Sequence, residues 1–174
     1  FSADGAARIG AAGFGLMLSK SQPHTAGNGL SALADTQRMV VDAYRANLPA
    51  GVPARVFASR NLVVVDDEAT VGRLIERGIE RSRASARIFG IDIPAGASRD
   101  ELCTLLDLHV GTPAQVIAEL QADHVLTSAS DLIFQSHPVD PPHEVLLRSL
   151  ELIATEVAPA LGWSPAPVFQ ESHV

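Results

Sequence analysis

The sequence predicts an α/β protein with parallel strands, and three observations carry that reading. Helical and extended patterns alternate along the 174 residues, in the order helix, strand, helix, strand, helices, strand, helix. That order is the mark of βαβ units with right-handed crossovers. The strand at 54–65, ARVFASRNLVVV, ends in an unbroken apolar run, as expected where a strand is covered on both faces. Three strands neither hide both faces of a parallel sheet nor close a barrel. The layer therefore makes sense as the second part of a barrel.

The first twenty residues organise the rest. Ser2 opens a small-residue helix over 3–12, Gly13 stops it, and a strand follows over 14–19. A serine before a glycine- and alanine-rich helix presents free N–H groups and the positive end of the helix dipole, a recipe for holding phosphate. Gly5 would let the anion approach the backbone. The simpler use of such a serine is a plain N-cap.

Residues 31–48 carry Leu33, Gln37, Val40, Tyr44 and Leu48 at helical spacing, and Pro49 ends that helix. Asp66 and Asp67 cap the next one, which runs on Val71, Leu74, Ile75 and Ile79. IFGIDIPAGAS has no period and reads as a loop. Ser98 and Glu101 have capping-box spacing before Leu102, Leu105 and Leu106, and Thr112, Pro113 and Gln115 repeat that signal for a further helix. ASDLIFQSHP reads as a short buried strand ending near Gln135. A last helix carries Leu146, Leu150, Ile153 and Val157 on one side, until Pro159 and Gly162 end it. Residues 164–174 read as an unstructured tail.

Composition narrows the function. Hydrophobic residues make up 47% and charged residues 19%, an ordinary globular balance. A net charge of −7, with no run of Lys or Arg, argues against nucleic acid. No apolar run reaches the length of a membrane span. The single cysteine, Cys103, excludes an internal disulfide and fits a reducing, cytoplasmic compartment. Its place between Leu102 and Leu105 makes it a core thiol rather than a nucleophile. The six histidines, at 24, 109, 124, 137, 143 and 173, show no metal-ligand spacing, and no GxSxG motif is present. The chain starts at Phe1 without a signal-peptide pattern and reads as a fragment of a longer protein.

Parallel α/β architectures bind ligands at the carboxyl ends of their strands. That rule selects Ser2, then Ser19 and Lys20, the region of Asp66, and finally Gln135, Ser136 and His137. Lys20 after a strand reaches for a phosphate or is simply an exposed loop lysine. His137 before a proline touches substrate, acts as acid or base, or is solvated. Arg60, in an apolar strand, must find a partner or a solvated lumen, and a salt bridge inside the barrel is the simplest solution. The Asp66, Asp67, Glu68 cluster most simply complements a helix dipole.

Taken together, SADGAARIGAAGFGLMLSK, SRNLVVVDDEA, HVGTPAQVIAEL and HPVDPPHEVLLRSLELIATEVAPALGW resemble the bacterial luciferase-like flavin-dependent monooxygenases. The resemblance covers nearly all of the chain and fails only around 85–100. It implies that residues 1–163 are the C-terminal part of a (β/α)8 TIM barrel of ~250 or more residues, holding strands six to eight with their helices. It also implies an oxidoreductase that uses reduced FMN, supplied by a flavin reductase, and dioxygen to oxidise a small organic substrate. A deazaflavin-using branch of the family exists, and the full-length protein is expected to be a homo-oligomer. Carried over residue by residue, the phosphate-binding turn falls on Ser2 and the backbone around Ala3, Asp4 and Gly5, and Leu18, Ser19 and Lys20 lie close to the flavin. Gln135 and His137 border the substrate end. Glycine at position 5 stands where the family often has a second serine or threonine. The active-site histidine of some members falls outside this chain, so no catalytic residue is assigned and activity of the isolated chain is in doubt. The alternative reading is a non-catalytic flavin- or phosphate-binding half-barrel.

Overall fold

The computed structural model describes residues 2–21, 33–88 and 96–163. The expected tail over 164–174 and residues 89–95 of the expected loop lie outside them.

Strand β2 (Val56–Val64) is the axis of the sheet. Strand β1 (Leu16–Met17) pairs with its start, Leu16 opposite Val56. Strand β4 (Asp131–Gln135) pairs along Phe57–Asn61. A fourth strand, β3 (Leu108–Gly111), was not expected from the sequence, and it pairs along Asn61–Val64. All three pairings are parallel, so the α/β class with a parallel sheet holds.

Hydrogen bonds fix the edges. Leu16 and Leu18 donate to the carbonyls of Arg55 and Phe57, and Val65 donates to Gly111, all at odd-numbered positions of the β2 segment. Strands β1 and β3 therefore follow one another along a single edge. Ser130 donates to the carbonyl of Val56, an even position, and β4 takes the opposite edge. The strand expected over 14–19 keeps only two ladder residues. At its end the Lys20 N–H bonds the Ser59 hydroxyl instead of a backbone carbonyl.

The helices form where their caps and spacing predict. Helix α1 (Ala3–Ala11) begins at Ser2, and its stop comes at Gly13, whose φ of 72° suits glycine. Helix α2 (Leu33–Ala46) buries Leu33, Gln37, Val40 and Tyr44. Helix α3 (Glu68–Ile88) is capped by Asp67, which accepts the Thr70 N–H at 2.9 Å. Helix α4 (Arg99–Leu105) has the Ser98–Glu101 capping box. Before α5 (Pro113–Ala122), Gln115 accepts from the Thr112 N–H at 2.9 Å. Helix α6 (His143–Leu152) continues through a widened turn, Ile153–Val157, into Ala158–Ala160. Pro159, which has no N–H to donate, accounts for the widening.

Two expected burials are corrected: β4, expected to be a buried strand, has only half-buried and exposed residues, and one helix face is turned. Leu150 is 48% exposed, while Ser149, Leu152 and Val157 are buried. The Ser149 hydroxyl accepts the Val64 N–H at 2.8 Å, a ladder position that β4 is too short to reach. That bond turns Ser149 inward and Leu150 out.

Two cores cover β2. Val56, Ala58, Leu62 and Val64 face α1, α2, α5 and the end of α6. Val63 and Val65 face α3 and α4. Leu62 to Val65 are 0–3% exposed, as their apolar run predicts. The second layer stops short of the start of the strand, however. On that same face Met17 is 68% and Ile133 38% exposed, with Phe57 half-buried between them.

Helix direction can be read from two contacts. The Tyr44 hydroxyl accepts the Arg55 N–H, so α2 ends at the amino end of β2. A Cβ on Gly10 would collide with the Tyr44 carbonyl, so α1 ends there too. The N-terminus of α1, about 14 Å away along its axis, therefore points toward the carboxyl ends of the strands. No described helix is long and apolar enough to cross a membrane.

Candidate functional site

The chain leaves β1 through buried Leu18 into Ser19 and Lys20. Side chains from two neighbouring elements pin this exit. The Ser59 hydroxyl accepts the Lys20 N–H at 3.1 Å and donates to the Leu18 carbonyl at 3.2 Å. Gln37 donates to the Ser19 carbonyl at 3.0 Å. The Lys20 side chain is half-buried and makes no hydrogen bond or ion pair among the described residues. Burial pushes its pKa below the usual lysine value, and the nearby Asp107 charge pulls the other way.

Across β2, Gln135 stands opposite Asn61. Two strand spacings separate it from the end of β1, so Lys20 and Gln135 lie roughly 10 Å apart at one end of the sheet. The exposed Met17 and Ile133 lie directly before them, with Phe57 between, its ring centroid 4.7 Å from the Arg55 guanidinium. His137 is exposed on the turn that follows, and its carbonyl accepts the Asp140 N–H at 3.1 Å.

Ser2 is exposed and caps α1 by accepting the Gly5 N–H at 3.1 Å. The Gly5 donor expected to meet an anion is thus held by Ser2, which leaves the Ala3 and Asp4 N–H groups uncommitted. The Asp4 carboxylate in this first turn weakens its pull on an anion. Ser19, Lys20 and Gln135 lie at one end of the sheet, with His137 two residues beyond Gln135, and no hydrogen bond or ion pair among the described residues links them to Ser2, Ala3 or Gly5.

Beside this end lies a buried charged network, of which the sequence announced only Arg60. Arg60 is 1% exposed. Its Nε donates to Asp123 at 2.9 Å, and its Nη1 donates to Gln37 at 3.0 Å and to the Ser59 carbonyl at 2.8 Å. Arg60 thus has a salt bridge, with Asp123 supplied from the end of α5, on the face of β2 that α2 and α5 cover rather than in the expected barrel interior. Asp107, whose φ of 53° is left-handed, accepts the Asn61 N–H at 3.0 Å and stands 3.6 Å from Arg60.

His109 bridges two carboxylates, with Nε2 at 3.3 Å from Asp107 and Nδ1 at 2.8 Å from Glu119. Burial alone would lower its pKa, but hydrogen bonds to both carboxylates outweigh that and raise it to about 9. At neutral pH it is an imidazolium with both nitrogens committed. It ties β3 to α5 and has no nitrogen left for proton transfer to a substrate. Its signal in the sequence was slight: one histidine alternating with apolar residues in LHV. Left-handed Asp107 has no sequence signature at all.

Among the described residues no group of three or more potential ligands could hold a metal ion. Burial raises the Cys103 thiol to about 11, so it stays protonated, in keeping with a core thiol. Compared with models of known protein families and with curated proteins, the chain gives no match.

Proposed function

We propose that this chain is the flavin-contacting second part of a luciferase-like monooxygenase, an enzyme that oxidises a small organic substrate with dioxygen and reduced FMN or a deazaflavin. One observation carries the reading: the half-buried Lys20 ammonium, without a hydrogen bond or ion pair among the described residues, at the end of β1 beside an uncovered sheet face. Parallel sheets are ordinarily covered on both sides. Here Met17 and Ile133 are exposed on either side of Phe57, whose ring carries the Arg55 guanidinium, with Lys20 and Gln135 beyond them. An exposed apolar face with a few polar groups suits a planar ring system. The chain-order run β1, β2, β4, each strand parallel to the last, supports strands six to eight of a (β/α)8 barrel, whose ligands sit at the carboxyl ends.

The residues present fit the cofactor at two points. The uncommitted Ala3 and Asp4 N–H groups, together with the Ser2 hydroxyl, suit a phosphate at a helix N-terminus. Lys20 suits the electron-rich edge of a reduced flavin. The cofactor, when bound, supplies the redox chemistry with dioxygen. This chain's part is to anchor the phosphate, to orient the ring on the Met17 and Ile133 face, and to keep water from it. Leu18 backs the site from the core, Ser19 and Lys20 border the ring, and Gln135 and His137 border the substrate. The reading places the protein in the cytoplasm, with a flavin reductase as its supplier and a homo-oligomer as the full-length form.

The test is a titration of FMN into the protein, followed by quenching of flavin fluorescence. Saturable quenching is expected, with affinity at least about tenfold weaker in Lys20→Met. Absence of quenching, or an unchanged affinity in the variant, contradicts the reading.

A further inference from the structure

Lys20 is the only lysine among the chain's 13 Lys and Arg residues. Everywhere else the side-chain cation is arginine, which keeps its proton at any pH a protein meets. A lysine amine can give its proton up and become a nucleophile, and burial favours that form. The one side chain able to do this stands at the carboxyl end of β1, where parallel α/β folds bind their ligands.

Its backbone is held while its ammonium is not. The Ser59 hydroxyl accepts the Lys20 N–H at 3.1 Å, and Gln37 donates to the preceding carbonyl, that of Ser19, at 3.0 Å. The half-buried ammonium has no hydrogen bond or ion pair among the described residues. Lysines withdrawn from water ordinarily find a partner or extend back to solvent. Desolvation favours the neutral amine here and holds the pKa below the usual lysine value, with the Asp107 charge opposing the shift.

That same charge selects among the electrophiles a neutral amine attacks. Carbon dioxide would leave an anion near the Asp107 carboxylate, and an acyl group would leave no charge. An aldehyde leaves an iminium, which keeps the positive charge that Asp107 favours. The exposed Met17 and Ile133 side chains, just before this end of the sheet, suit an apolar body.

We propose that Lys20 condenses with a small apolar aldehyde to form a Schiff base. The amine nitrogen bonds to the carbonyl carbon, C=N replaces C=O, and both amine hydrogens leave with the oxygen as water. A proton from solvent completes the iminium. No electrons change hands, so neither oxidant nor flavin takes part. The condensation goes beyond the flavin reading and is tested without flavin, so its failure leaves that reading to its own titration.

Butanal with cyanoborohydride, which reduces the iminium to a stable secondary amine, is added to the flavin-free protein at about pH 7.5. Intact mass and peptide mapping separate Lys20 from the N-terminal amine. The same protein unfolded in guanidinium chloride supplies the reference rate for the same residue. Trapping at Lys20 should be at least about tenfold faster in the native protein than in the unfolded one. Polar glyceraldehyde should show no such gain, and Lys20→Arg, which keeps the charge, should leave only the N-terminal amine labelled. A native rate no faster than the unfolded rate, or an equal gain with glyceraldehyde, overturns the proposal.

Discussion

Titrating His109 out of its two ion pairs should remove stability by an amount the structure sets. The gap between its ordinary 6.5 and about 9, at about 1.4 kcal/mol per pH unit, comes to about 3 kcal/mol. The sign follows from the proton. The folded state keeps it between these two values while the unfolded state releases it. The contribution is therefore complete below 6.5 and is lost as pH rises to about 9. Two other groups act in the alkaline range. Lys20, held below its ordinary 10.5, adds stability as pH climbs toward that value. Cys103, raised from 9.0 to about 11, removes stability only above His109's window. The comparison of variants, and not the raw slope, therefore isolates His109. Urea unfolding followed by circular dichroism, on wild type and His109→Gln from about pH 6 to pH 9.5, is the assay. Wild type should lose about 3 kcal/mol relative to the variant across the window. Parallel curves for the two proteins would refute the reasoning.

Two further predictions test the network and the phosphate end. Arg60→Met leaves Asp123 buried without its cation, while Asp107 keeps His109, and should cost about 3–5 kcal/mol in urea unfolding; a change under about 1 kcal/mol contradicts the role given to the Arg60–Asp123 pair. Ser2→Ala should weaken FMN binding by about 1–3 kcal/mol, as for loss of a charge-assisted hydrogen bond. Unchanged affinity takes Ser2 out of the site.

What the sequence disclosed was local. The apolar run at Leu62–Val65, the Ser98–Glu101 box, the Thr112–Gln115 turn and the Gln37 position on α2 all depend on neighbours a few residues away. The structure places each as expected. What it concealed depends on distant partners. Strand β3 is four residues long and exists because β1 ends early and frees the edge of β2. Leu150 points outward because Ser149 completes a ladder position 85 residues away. The links of Arg60 to Gln37 and Asp123 span 23 and 63 residues, and no spacing rule reports them. For the site, the exit at Ser19 and Lys20 followed from the rule about strand ends. The exposed face did not, because Met17 and Ile133 look like core residues until their faces are known to lack a covering layer.

The most direct test of the central claim is to locate FMN on the protein by NMR, mapping which backbone amides shift as it is added. The account predicts saturable shifts grouped at Met17, Lys20, Ser59, Ile133 and Gln135, with a smaller set at Ala3 and Asp4. Shifts confined to the residues around Arg60 and His109, or none at all, would contradict it.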